Sequence, residues 1–167
     1  MKNINFQEKI KLSNYTTIKV GGLAEYFATP CNANDFIKLI NWSNLNKQEC
    51  RIIGAGSNVL INNIFLKGLT ICTKKMRSIK INSLSGIVEA EAGVMLPTMS
   101  NMLAKNGLQG GEWTVGIPGT VGGAICMNAG SGSFSLAKNL LSVKVINTKS
   151  LEISEIQKED INFQYRF

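Results

Sequence analysis

The chain has 167 residues, 44% hydrophobic and 17% charged: enough apolar side chain for one domain, or two small lobes sharing a core, and too little charge for a disordered chain. It contains no histidine, which removes Ser-His-Asp and Cys-His catalysis, histidine-ligated zinc and histidine proton shuttling, because each needs an imidazole. A net charge of +7 favours anionic ligands such as nucleotides.

In chain order, the stretch 33–46 (ANDFIKLINWSNLN) places Phe36, Ile37, Ile40 and Leu45 on one side of a helix, with Asn32 or Asn34 as the cap. Residues 51–53 read as a strand entering the loop GAGSN, and 59–61 as a strand leaving it, so that a glycine-rich loop sits between two buried strands. Residues 69–73, 78–82 and 86–92 are further predicted strands. The cluster Lys74, Lys75, Arg77 and Lys80 and the turn Ser83-Leu84-Ser85-Gly86 separate them. The stretch 96–106 (LPTMSNMLAKN) has Pro97 in its first turn, sets Leu96, Met99, Met102 and Leu103 at helical spacing and stops at Gly107, so it predicts a helix whose methionine stripe is core. Residues 141–147 and 151–156 finish as a hairpin. Mixed element order without βαβ regularity predicts an α+β fold, with no repeat and no linker between independent domains.

Several classes of partner drop out. The longest apolar runs fall far below the ~20 residues of a membrane span, and residues 1–10 lack a continuous signal core, so a cytoplasmic protein without membrane contact is expected. Cys31, Cys50, Cys72 and Cys126 are widely spaced, with no zinc or redox pair; no metal site is expected, and the thiols read as buried or idle in a reducing compartment. The basic cluster has no interleaved aromatics on which bases could stack, so it reads as a solvated loop rather than a nucleic-acid surface.

The glycines carry the chemistry. In Gly54 to Asn58 (GAGSN), two glycines stand beside a hydroxyl and an amide, a composition that lets backbone N–H groups turn toward an anion and that equally suits a tight structural turn. It lacks the Lys-Ser/Thr of a P-loop and the spacing of the dinucleotide fingerprint. In GIPGTVGGAICMNAG, residues 116–130, glycines at 116, 119, 122, 123 and 130 permit either close approach to a ligand or backbone-on-backbone packing. Thr120 and Asn128 offer side-chain hydrogen bonds, and a short helical turn over 120–125 would present its N-terminus to a phosphate. Two such segments in one short chain point to a long, phosphate-bearing ligand.

NYTTIKVGG (14–22), IIGAGSNVLI (52–61), GIPGTVGGAICMNAG and NFQYRF (162–167) resemble, in order and spacing, the UDP-N-acetylenolpyruvoylglucosamine reductase family, also called UDP-N-acetylmuramate dehydrogenases. The likeness runs the length of the chain. It implies FAD held in a two-lobed α+β domain of the vanillyl-alcohol-oxidase/PCMH type, with lobes at 1–70 and 71–167. Gly54, Gly56, Ser57 and Asn58 then line the pyrophosphate, and Gly116, Ile117, Gly119, Thr120, Gly122 and Gly123 line the flavin and phosphate side of the cleft. NADPH is the implied co-substrate and a UDP-sugar the small-molecule partner, with reduction of an enolpyruvyl double bond to the lactyl ether of UDP-N-acetylmuramate. Tyr165 and Arg166 match the family's Tyr-Arg motif; Arg166 is the implied catalytic arginine, stabilising negative charge that develops beside the substrate carboxylate.

Two departures bear on function. The family continues past this motif into a substrate domain carrying a serine proton donor and an assisting glutamate; neither can be placed in 1–167, so the chain reads as an apparently truncated FAD-binding part. Ser131-Gly132-Ser133-Phe134 stands where the family often has Ala-Tyr-Gly, a departure that falls at an implied substrate-side contact. The expected function is that of the flavin-dependent reductase of peptidoglycan synthesis, the alternative being a non-catalytic FAD-binding remnant of it. An anion-binding or nucleic-acid module is a third reading, one that predicts salt-sensitive oligonucleotide binding and no flavin.

Overall fold

The first long helix begins where the sequence supplies a cap. In the computed structural model, which describes residues 5–163, α1 (Ala33–Leu45) is capped by Asn32, whose side-chain oxygen accepts from the Asp35 amide at 2.9 Å. Asp35 in the first turn adds a negative charge where the helix dipole favours one. The buried stripe is Phe36, Leu39, Ile40 and Ser43. Leu39 therefore joins the expected face and Leu45 leaves it: at ~3.6 residues per turn Leu45 lies half a turn round from Phe36, and it is 68% exposed.

That stripe packs on a four-stranded sheet of order β1-β2-β4-β3, made of β1 (Gln7–Lys11), β2 (Leu23–Ala28), β3 (Cys50–Ile53) and β4 (Leu66–Cys72). β1 is antiparallel to β2, whereas β4 runs parallel to both its neighbours. Central β4 (LKGLTIC) is the most buried strand, because it is covered on both faces. Leu69 and Ile71 meet Phe36, Leu39 and Ile40 of α1. Cys72 faces the other way, into a second cluster with Leu12, Ala24, Phe27 and Ile53. Each buried Leu, Ile or Phe in these layers contributes roughly 1.5–3 kcal/mol.

Residues 59–61 are not a strand, contrary to the sequence reading. β3 and β4 are parallel neighbours, and a parallel connection needs ~12 residues or more to carry the chain back to the starting edge. The stretch 54–65 is that return, irregular throughout. Its far end is fastened by the Gly22 amide donating to the Asn62 carbonyl at 3.0 Å. The unit β2-α1-β3, whose two strands flank β4, is also one parallel crossover that the sequence reading lacked.

The sheet ends at Cys72; of the later elements, those before residue 140 supply a third cluster of Val94, Leu96, Val121, Ala124 and Leu136, while Ile146 packs back against the cluster of Leu39, Leu69 and Ile71. The later elements are the hairpin β5 (Ile79–Asn82)–β6 (Ile87–Ala90), α2 (Leu96–Lys105), α3 (Val121–Cys126), the short hairpin β7 (Gly130–Ser131)–β8 (Phe134–Ser135), α4 (Leu136–Asn139) and the hairpin β9 (Ser142–Ile146)–β10 (Ile153–Gln157). The predicted hairpin at the end, the strands predicted at 78–82 and 86–92 and both long helices are therefore present, and the fold is α+β. Met99 packs against the third cluster as core. Lys74, Lys75, Arg77 and Lys80 are exposed, on a 3-10 turn (Thr73–Lys75) and the start of β5.

All four cysteines are free thiols, but burial holds only for Cys72 and partly for Cys50, while Cys31 and Cys126 are exposed. Burial pushes the thiols of Cys50 and Cys72 up; the Ser43 side chain and the Arg51 charge oppose it at Cys50, and the Lys74 amide and charge at Cys72. Among the described residues no helix is long and apolar enough to cross a membrane.

Candidate functional site

The loop that leaves β3 folds onto the segment between β1 and β2. Gly56 has φ +72°, and a Cβ on it would overlap the Tyr15 carbonyl oxygen, so only glycine fits. The Thr17 amide donates to the Gly56 carbonyl at 3.0 Å, and the Tyr15 ring lies 4.3 Å from that of Phe27 in the core. The stretch 14–22 is thus a brace for GAGSN. Thr16 stiffens the brace, its hydroxyl donating to the Val20 carbonyl at 2.8 Å.

The other face of GAGSN meets the second glycine segment. The Ser57 hydroxyl donates to the Pro118 carbonyl at 2.9 Å. Gly54 lies so close to Thr120 that a Cβ would overlap the threonine hydroxyl. Thr120 is 1% exposed and caps α3, its Oγ1 accepting from the Gly123 amide at 3.4 Å. Two segments singled out by composition alone are therefore one site, together with the brace.

The helix-dipole expectation does not hold. α3 has only 6 residues, and its first amides are already bonded: Val121 to the Val94 carbonyl at 2.8 Å, Gly122 to Ala92 at 2.9 Å, and Gly123 to Thr120. The segment 92–96 has taken the donors that a phosphate would have used. Among the described residues no acceptor takes the amide hydrogens of Gly56, Ser57, Asn58 and Gly119. The donors available to an anion lie in the two turns, not at the helix end.

The glycines divide into two kinds. Gly54 and Gly56 are bare because protein packs against them, and so is Gly122, where a Cβ would come 2.8 Å from the Ala92 Cβ. At these positions backbone packing is the reason for glycine. At Gly116 a Cβ would meet nothing within 4 Å, and at Gly123 only the Thr120 hydroxyl at 3.4 Å. Protein packing does not ask for glycine there, and the bare backbone leaves open space beside it. Ile117 is half-buried against the third cluster, its amide bonded to Thr114 at 3.2 Å, and Asn58 is exposed. Tyr165 and Arg166 lie outside the described residues.

Beyond Thr120 runs β7–β8, the place where the sequence departs from the reductase pattern. Gly132 has φ +60° in the turn, and Phe134 stacks on Trp113 with ring centres 6.4 Å apart and planes 12° from parallel. The site reading missed the bracing role of Tyr15 and Thr17 and the fastening role of 92–96. NYTTIKVGG was a visible signal for the first; nothing in EAEAGVMLP marked the second.

Residues 24–153 match the family model described as FAD binding domain. The chain belongs to that family. It is 81% identical over its whole length to UDP-N-acetylenolpyruvoylglucosamine reductase of Prochlorococcus marinus subsp. pastoris, covering 56% of that protein. It is 43% identical to the reductase of Prochlorococcus marinus strain NATL2A over 99% of this chain and 57% of the relative. The chain spans about half the length of the curated relatives it matches. Among solved structures it superposes on UDP-N-acetylenolpyruvylglucosamine reductase from Thermus caldophilus with TM-score 0.80 and 29% identity, over 97% of this chain and 56% of that one. It also superposes on 6-hydroxy-D-nicotine oxidase from Arthrobacter nicotinovorans with TM-score 0.66 and 15% identity, over 95% of this chain and 38% of that one, a likeness of fold alone. The resemblance seen in the sequence motifs and the two-lobed vanillyl-alcohol-oxidase/PCMH-type fold are thus those of this FAD-binding domain.

The residues present fit FAD. A dinucleotide diphosphate needs several N–H donors close together; the uncommitted amides of Gly56, Ser57 and Asn58 stand together on the first turn. An extended ring system needs bare backbone beside it, and Gly116 and Gly123 provide it.

Proposed function

We propose that this chain is the flavin-holding part of a cytoplasmic, NADPH-dependent reductase that converts UDP-N-acetylenolpyruvoylglucosamine to UDP-N-acetylmuramate in peptidoglycan synthesis. The observation that carries the reading is the meeting of the two glycine turns, with their amides uncommitted, in a chain 81% identical to a protein of that name. Bound FAD supplies the hydride chemistry, which no side chain can.

In this reading the amides of Gly56, Ser57 and Asn58 hold the pyrophosphate, with Gly54 bare so that the second turn can close against it. Gly116, Ile117, Gly119, Thr120, Gly122 and Gly123 border the flavin side, with Gly122 acting through its packing on Ala92. Tyr165 and Arg166 contact the UDP-sugar, and the Arg166 guanidinium, a planar fork of fixed donors, stabilises charge that develops beside the substrate carboxylate.

The test is a titration of apoprotein with FAD followed by flavin fluorescence, then an assay of NADPH oxidation on adding the enolpyruvyl UDP-sugar. Flavin binding with substrate-dependent oxidation supports the full reading. Flavin binding without oxidation assigns the non-catalytic alternative to these 167 residues. Salt-sensitive oligonucleotide binding without flavin overturns both.

A further inference from the structure

We propose that Ser57 is a positioning residue: its hydroxyl latches the two glycine turns together, and so sets affinity for a ligand that spans both turns without contributing to the grip on a diphosphate alone. The proposal rests on the reading of this site as a flavin cleft.

Each turn is held rigidly by its own surroundings. The first is tied down by Thr17, whose amide donates to the Gly56 carbonyl at 3.0 Å. The second is fastened to 92–96 by three backbone bonds: Leu96 to the Gly119 carbonyl at 3.0 Å, Val121 to Val94 at 2.8 Å and Gly122 to Ala92 at 2.9 Å. Among the described residues, one side-chain hydrogen bond joins these two frames, from Ser57 Oγ to the Pro118 carbonyl across 61 positions of sequence.

The neighbours are arranged to let it form. Gly119 has φ +145°, and a Cβ there would stand 3.2 Å from Ser57 Oγ, closer than most side-chain contacts allow. Pro118 has no amide hydrogen, so its carbonyl is its sole backbone hydrogen-bonding group. A serine hydroxyl has one hydrogen to donate, and here it goes to a carbonyl. What Ser57 offers a phosphate is therefore its amide, which every substitution except proline retains.

Ser57→Ala removes the latch and keeps the amide. A net hydrogen bond in water corresponds to roughly a two- to tenfold change in an equilibrium constant. FAD, which touches both turns, is expected to bind Ser57→Ala about five- to tenfold more weakly, while ADP, confined to the first turn, binds within about twofold of wild type. Ser57→Thr keeps a hydroxyl and is expected to restore FAD affinity. Parallel losses for ADP and FAD would make Ser57 a phosphate ligand and overturn the latch, as would a threonine variant no better than alanine. Hydrogen exchange on apoprotein reads the latch independently of the cofactor. Faster exchange of the Thr17 and Leu96 amides, which donate to the Gly56 and Gly119 carbonyls, in Ser57→Ala supports it, and unchanged exchange overturns it even if wild type binds no flavin, the result that would separately remove the flavin reading.

Discussion

Gly54 and Thr120 occupy each other's side-chain space: the threonine hydroxyl fills the volume that a Cβ on residue 54 would take. The contact joins the end of β3 to the cap of α3, and it makes the two positions energetically dependent. Gly54→Ala alone is expected to destabilise by about 2 kcal/mol or more, because the buried threonine has nowhere to move. Thr120→Ala alone loses the cap, about 1 kcal/mol. Together they are expected to cost less than the sum, since alanine at 120 removes the atom that collides; the threonine Cβ, which remains, stands 3.4 Å from the added methyl. Urea unfolding of the four proteins measures the coupling, and strict additivity would contradict the contact.

Gly56 and Gly86 share a backbone conformation and differ in surroundings. Their φ values are +72° and +71°, but a Cβ on Gly56 would overlap Tyr15 whereas one on Gly86 meets nothing within 4 Å. Gly86→Ala is expected to cost only the left-handed backbone penalty, ~1–2 kcal/mol. Gly56→Ala adds displacement of the 14–22 brace, for a total of roughly 3–5 kcal/mol, and lowers FAD affinity as well. Equal losses in denaturation midpoint would mean that the brace is not in contact.

What was legible in the sequence was local. α1 and α2 announced themselves by apolar spacing and by Asn32, Pro97 and Gly107, which act within a few residues of where they stand. β1 (QEKIK) gave no signal because an exposed edge strand needs no apolar alternation, and its pairing with β2 is specified by contacts outside either segment. Residues 59–61 misled for a physical reason: an apolar triplet suits a strand and suits equally a return loop laid over a sheet, and Ile61 does pack there against the second cluster. Composition found the glycine turns but could not say which glycines are packed against protein and which stand open. Gly122 and Gly123 are adjacent in sequence and fall on opposite sides of that division, decided by Ala92 some thirty positions away.

The thiols should separate by exposure. Cys31 and Cys126 are expected to react with a thiol reagent quickly in the native protein, Cys50 slowly, and Cys72 only on unfolding, which peptide mapping after timed labelling resolves. Burial raises the Cys72 value when folded, so the native state holds the proton more tightly than the unfolded chain. The associated stability is fully present below the unfolded thiol value of ~8.5 and is lost as pH rises through the folded value. Cys72→Ala should flatten that alkaline decline relative to wild type in urea melts taken across pH 7 to 10.

Flavin should be held loosely by these residues alone. The donors are neutral amides in the turns, without a charged side chain among them, and the flanks of the second turn are open: Val115 is 54%, Met127 56% and Phe134 52% exposed. A cofactor lying there keeps much of its ring surface in water, so little apolar area is removed from solvent to offset the cost of ordering it. The purified chain is expected to carry well under one flavin per molecule. Saturating FAD should then act by mass action: at a free concentration near 100 times Kd the gain is ~2.7 kcal/mol, or roughly 5–10 °C in Tm for a domain of this size. Tight stoichiometric flavin after purification would mean that the flanks close over the ring, and no shift of Tm with added FAD would mean that the turns do not hold it. A cleft of open turns and exposed apolar flanks predicts the intermediate result, a visible but readily lost cofactor.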